Sequence, residues 1–104
     1  MNKNEHKLSA KIYFAIEGFA TNENEVFADV AHNYGGWTLS TNTGGYEMAS
    51  GQYVVETSYS LEIVGDNTIE FRQRIFKTAE RFKQIYKQES VMVVFSPLDG
   101  VEYI

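Results

Sequence analysis

The chain has 104 residues, of which 43% are hydrophobic and 14% aromatic, which suits one domain with one core and is too little for two. Its 14 acidic and 9 basic residues give a formal charge of −5, which repels a phosphate backbone and argues against nucleic acid as a partner. The absence of cysteine excludes a disulfide framework, a thiolate nucleophile and a cysteine metal site. No long apolar run follows the polar start at Met1 to Lys7, so neither a signal peptide nor a membrane span is predicted, and a cytoplasmic protein is expected.

Residues 1–7 read as a flexible leader and 8–104 as a single domain. Leu8, Ala10, Ile12, Phe14 and Ile16 alternate with more polar neighbours, the period of a first strand. Asn22 stands three residues before Glu25, a capping-box spacing at the head of a helix predicted from Glu23 to Asn33 and stopped by Gly35 and Gly36. Trp37, Leu39 and Thr41 suggest a short second strand, which runs into a turn-like Asn42-Thr43-Gly44-Gly45. From Gln52 to Val64 a long third strand follows. Its odd positions Val55, Thr57, Tyr59, Leu61 and Ile63 are mostly apolar and its even positions Glu56, Ser58, Ser60 and Glu62 polar.

Asn67 and Glu70 repeat the capping spacing before a second, amphipathic helix, with Ile69, Ile75, Phe76, Ala79, Phe82 and Tyr86 toward one side. Val91 to Phe95 is an unbroken apolar run, predicted as an interior strand covered on both faces and stopped by Pro97. Val101 to Ile104 is predicted to add a short edge strand or to reach a neighbouring subunit. The order β-α-β-β-α-β gives an α+β class and a ferredoxin-like antiparallel sheet with two helices on one face. The other face, carrying Glu56, Ser58 and Ser60, is then solvated or buried by association. A homo-oligomer with clefts between subunits is expected.

No metal, phosphate-loop or triad motif is present. His6 and His32 lack a second ligand at a suitable spacing. Gly35-Gly36 and Gly44-Gly45 have no following lysine with serine or threonine. The charges of the second helix alternate in sign, as a solvated face does. Glu56 reads as an ordinary solvated carboxylate unless an interface dries its surroundings, in which case it needs a cationic or hydroxyl-bearing partner. Tyr46, after two glycines, is the aromatic best placed to enter a cleft.

The segments Tyr13 to Asn22, Gly44-Gly45-Tyr46-Glu47, Glu56-Thr57 and Gln88-Glu89-Ser90-Val91-Met92-Val93-Val94 together resemble the small phage-encoded S-adenosylmethionine-degrading enzymes, first described as hydrolases and better described as lyases. The resemblance spans about residues 12–104. It implies a homotrimer with a ferredoxin-like sheet, active sites between subunits, and cleavage of S-adenosylmethionine to methylthioadenosine and homoserine lactone. No cofactor or metal is implied. Defeat of host methylation-dependent restriction, in the host bacterial cytoplasm, would be the biological outcome.

By position, Tyr46 resembles the family's tyrosine after the glycine turn and Glu56 its acidic residue entering the long strand. The two stand one residue closer than in relatives, so either Glu56 or Thr57 fills the acidic position. Glu89 resembles the acidic residue before the final strand, a grip on the ribose hydroxyls, and Ser58 joins it as a substrate contact. Such chemistry suits a sparse site, because the substrate brings its own sulfonium leaving group and its own carboxylate nucleophile. Two other readings share the topology: a non-catalytic trimer that binds an adenine nucleotide, and a phage protein that blocks a host enzyme.

Overall fold

The computed structural model describes residues 7–15, 23–88 and 90–104. Strand β1 spans Lys7–Phe14, helix α1 Glu23–Tyr34, β2 Thr38–Glu47, β3 Tyr53–Asp66, helix α2 Ile69–Ile85 and β4 Met92–Leu98. The four strands form one antiparallel sheet in the order β2-β3-β1-β4. The β-α-β-β-α-β order and the α+β, ferredoxin-like class therefore stand as read from the sequence.

The alternation in the strands sets the two faces. Leu8, Ala10, Ile12 and Phe14 of β1 and Leu61 and Ile63 of β3 are buried with Val26, Phe27 and Val30 of α1 and Phe71, Ile75, Ala79 and Phe82 of α2. Both helices thus cover one face. The register sends the other parity to the open face: Thr38, Ser40, Asn42, Gly44 and Tyr46 of β2 lie opposite Glu62, Ser60, Ser58, Glu56 and Val54 of β3.

Several local expectations are corrected. Asn42 to Gly45 form no turn but lie within β2, paired with Ser58 to Val55. Tyr53 explains how two glycines persist in a strand, since its ring covers Gly45 where a Cβ would sit. The chain reverses later, at Met48 to Gln52, where the Met48 N–H donates to the Gln52 carbonyl at 2.8 Å and Gly51 takes a φ of 88°. Tyr46 therefore precedes the turn.

Helix α2 is capped by Thr68, whose side chain accepts from the Phe71 N–H at 3.1 Å, rather than by Asn67. Its buried stripe is Phe71, Ile75, Ala79 and Phe82, while Ile69 and Phe76 are exposed. Strand β4 is an edge strand covered on one face, with Met92 and Val94 exposed and Val93 and Phe95 packed against the core. Pro97 does not end it but sits inside it opposite Leu8, as an edge position permits. Residues 101–104 form no strand. The leader's residues 1–6, the continuation of β1 at Ile16 and the cap at Asn22 lie outside the described residues.

Candidate functional site on the open face

Among the described residues, strand β3 pairs with β1 from Tyr59 onward and with β2 from Tyr53 onward. Among the described residues, 42–47 and 53–58 pair only with each other, as a two-stranded ribbon. It carries large apolar groups in the open: Tyr46, Met48, Tyr53 and Val55 are each 45% to 70% exposed.

Tyr46 and Glu56 stand on this ribbon. Tyr46 is opposite Val54 and Glu56 is opposite Gly44, so the two are diagonal neighbours on the open face, within reach of long side chains. Ser58 follows Glu56 on the same face, opposite Asn42. Thr57, opposite Thr43, has the other parity and turns away from Tyr46. Of the two candidates for the acidic position, only Glu56 shares a face with the tyrosine. Glu89 lies outside the described residues.

The sequence reading placed Asn42 and Gly44 in a turn, whereas the register sets them on β2 beside Glu56. Gly44 puts no side chain in front of Glu56, and a Cβ added there would meet nothing within 4 Å among the described residues. Asn42 and Tyr46 flank this gap. The Nδ2 of Asn42 is shielded from solvent and has no hydrogen-bond partner among the described residues, a state that costs about 1–3 kcal/mol for a buried donor. Asn42 and Gly44 lie in a segment whose composition mimics a turn, and only the register reveals that they border Glu56.

Farther along the open face, the Ser9 hydroxyl donates to Glu62 Oε2 at 2.5 Å. Glu62 lines a cavity of about 540 Å³ with Tyr34, Trp37, Val64 and Tyr103 among others. It lies six residues along β3 from Glu56, about 20 Å away. The Trp37 indole N–H that borders this cavity is held by the Phe27 carbonyl at 3.0 Å. His32 is exposed in the last turn of α1. Among the described residues no three histidine or acidic side chains gather as a metal ion would require, and no helix is long and apolar enough to cross a membrane.

The family model described as "Protein of unknown function (DUF3574)" matches residues 22–100. The chain belongs to the DUF3574 family. A search of curated proteins found no match. Among solved structures, this DUF3574 chain is similar to a phage SAM lyase in complex with S-methyl-5'-thioadenosine, at 22% identity and a TM-score of 0.67 over 99% of this chain and 90% of that one. It is also similar to a phage SAM lyase in the apo state, at 21% identity and a TM-score of 0.64 over 92% of this chain and 84% of that one. A Bacillus cereus protein related to NIF3 matches at 17% identity and a TM-score of 0.60, over 91% of this chain but 26% of that larger one. These likenesses show that the DUF3574 chain shares their fold.

Proposed function

We propose that the protein is an S-adenosylmethionine lyase, which releases methylthioadenosine and homoserine lactone. The observation that carries this reading is the fold match along 99% of the chain to a lyase holding methylthioadenosine. The placement of Tyr46 and Glu56 on one face, across the Gly44 gap, supports it. In the reaction a methionyl carboxylate oxygen forms a bond to the γ-carbon while the γ-carbon–sulfur bond breaks. The electron pair passes to sulfur, which leaves as a neutral thioether. No external nucleophile or cofactor is consumed.

Holding the carboxylate in line with the breaking bond is an intramolecular proximity effect, worth up to ~10 kcal/mol in well-oriented cases. Opposite charges are neutralised on the way to the transition state, so a drier site also helps. Glu56 should not face the sulfonium, since a carboxylate there stabilises the charged ground state more than the transition state. Its role is to hold the substrate ammonium or a ribose hydroxyl. Tyr46 orients the methionyl end, and Ser58 and Glu89 add substrate contacts.

The protein acts as a homotrimer whose sites lie between subunits. The exposed apolar ribbon and the sheet face left uncovered by both helices support association. In a phage, the activity would deprive host restriction of its methyl donor.

The test is turnover of S-adenosylmethionine in water enriched in heavy oxygen, with early products identified by mass spectrometry. Methylthioadenosine with unlabelled homoserine lactone is expected. Labelled homoserine formed directly, without lactone, would mean hydrolysis, and binding without turnover would mean a nucleotide-binding module. A folded Glu56→Gln protein should lose most activity; full turnover by it would remove Glu56 from the mechanism.

A further inference from the structure

We propose that the cavity beside the start of β2 binds a small organic cation of the methylated-ammonium class, with Glu62 as its counter-ion and Trp37 and Tyr103 as its aromatic walls. The site is separate from the proposed lyase centre, since Glu62 stands about 20 Å from Glu56 along β3, and it does not depend on that reading. The cavity, of about 540 Å³, falls within the ~300–1,000 Å³ of small-molecule sites. It forms where three pieces of chain meet: the link from α1 to β2 around Trp37, the open-face residues Glu62 and Val64 of β3, and Tyr103 of the C-terminal tail.

Glu62 is held in place with one oxygen to offer. Ser9, 3% exposed, donates its hydroxyl to Oε2 and so fixes the carboxylate. Oε1 has no partner among the described residues and is not sealed from solvent, so a ligand can reach it. Lys11 lies opposite Glu62 on β1 but forms no ion pair with it. Among the described residues no lysine, arginine or histidine lines the cavity. A half-buried carboxylate in such surroundings lacks a counter-charge, and a cation supplies it.

The aromatic groups decide what kind of cation fits. The indole N–H of Trp37 is already held by the Phe27 carbonyl at 3.0 Å, so the indole offers the cavity its ring and not a donor. Tyr34 forms a fixed wall, its hydroxyl 2.8 Å from Thr78 and its ring under the Arg74 guanidinium. Trp37 and Tyr103 are 39% and 83% exposed, which leaves ring surface free for a ligand. Ring faces attract cations through their quadrupole, and a methylated ammonium combines that charge with apolar methyl groups. A divalent metal ion fits poorly, because one carboxylate supplies too few of the oxygen ligands it requires.

Trp37 is the chain's one tryptophan, so its fluorescence reports on this cavity directly. Titration of the whole chain with choline chloride, at an ionic strength held constant with sodium chloride, should give a saturable change in emission. The neutral isostere 3,3-dimethylbutan-1-ol has the same shape without the charge and should give none over the same range. Glu62→Gln, which keeps an acceptor for Ser9, should weaken choline by about tenfold, and Tyr103→Leu by about threefold to tenfold. Circular dichroism checks the fold of both. Tyr103 lies outside every helix and strand, so its substitution carries the test even if Glu62→Gln is destabilised. No saturable response to choline, an equal response to the neutral alcohol, or undiminished choline affinity in either folded variant would overturn the site.

Discussion

Gly65 and Phe71 form a tight junction between β3 and α2, and adding a single methyl group there tests how rigidly the helix is seated. Gly65 lies on the core face opposite Leu8, and a Cβ at this position would run into three ring carbons of Phe71. The ring has little room to retreat. Phe71 is 7% exposed, stands edge-on to Tyr34 with ring centroids 6.1 Å apart, and has its backbone N–H held by the Thr68 cap. Overpacking of this kind costs about 1–3 kcal/mol, and lost freedom of the unfolded chain returns about 0.4–1 kcal/mol. Gly65→Ala should therefore destabilise by about 1–2 kcal/mol, or lower Tm by about 5–15 °C for a domain of this size. Thermal and urea unfolding at one fixed protein concentration would measure it. Gly36→Ala, where a Cβ meets nothing within 4 Å, serves as the control and should leave stability unchanged or slightly raised. In a Phe71→Ala background, itself weakened by about 3–5 kcal/mol, Gly65→Ala should cost nothing more, giving a coupling energy of about 1–2 kcal/mol. A Gly65→Ala protein as stable as the Gly36→Ala control, or strict additivity in the double variant, would refute the junction.

Two further outcomes follow from the same elements. Thr68→Ala should cost about 1 kcal/mol through loss of the helix cap, whereas Asn67→Ala, which removes only an exposed contact with Arg72, should stay within about 0.5 kcal/mol; reversal of that order would return the cap to Asn67. The hydrogen bond from Lys7 to Asp66, at 2.8 Å, raises the ammonium pKa above the ordinary lysine value, with smaller contributions from the Asp66 and Tyr103 charges. Because the folded pKa lies above the unfolded one, this pair's contribution is complete below the unfolded value and fades as pH rises through the folded one. Lys7→Met should flatten that alkaline limb while costing at most about 1 kcal/mol near neutrality, as expected for a solvent-screened pair. An unchanged alkaline limb would show that the pair contributes nothing.

The fold was legible wherever one physical signal dominated. Leu8 to Phe14 and Tyr59 to Ile63 alternate because one side of each meets the helices, and such strands announce themselves by period alone. Phe71 stands four residues before Ile75 on one helical stripe with Ala79 and Phe82, so spacing does place it there; the reading from sequence sets Ile69 and Phe76 on the stripe instead, and both are exposed. Asn42 to Gly45 have the composition of a turn, yet the cover that Tyr53 gives Gly45 lets the strand continue. The apolar run at β4 could not distinguish a central strand from an edge one, since only pairing decides that. The candidate site was legible in part. Tyr46 and Glu56 could be singled out by resemblance, but the choice between Glu56 and Thr57 is one of parity, and parity needs the register. That Asn42 borders Glu56, from within the misread turn, could be seen only after the register was known.

The central place of β1 fixes the order in which this chain can complete its structure. The first strand to be synthesised is the one both later partners need: β3 joins it on one side, and β4 on the other pairs Leu98 with Lys7, almost the full length of the chain away. Only the β2–β3 hairpin is local. Loops this long slow the search for native pairings. Until β4 emerges from the ribosome, the β1 edge that will receive it stays open beside Leu8, Ala10, Ile12 and Phe14, a strip able to recruit foreign strands. A nascent chain that stops short of Met92 would therefore be exposed to aggregation while its hairpin is already formed, which makes completion of the last strand the protective step in biogenesis.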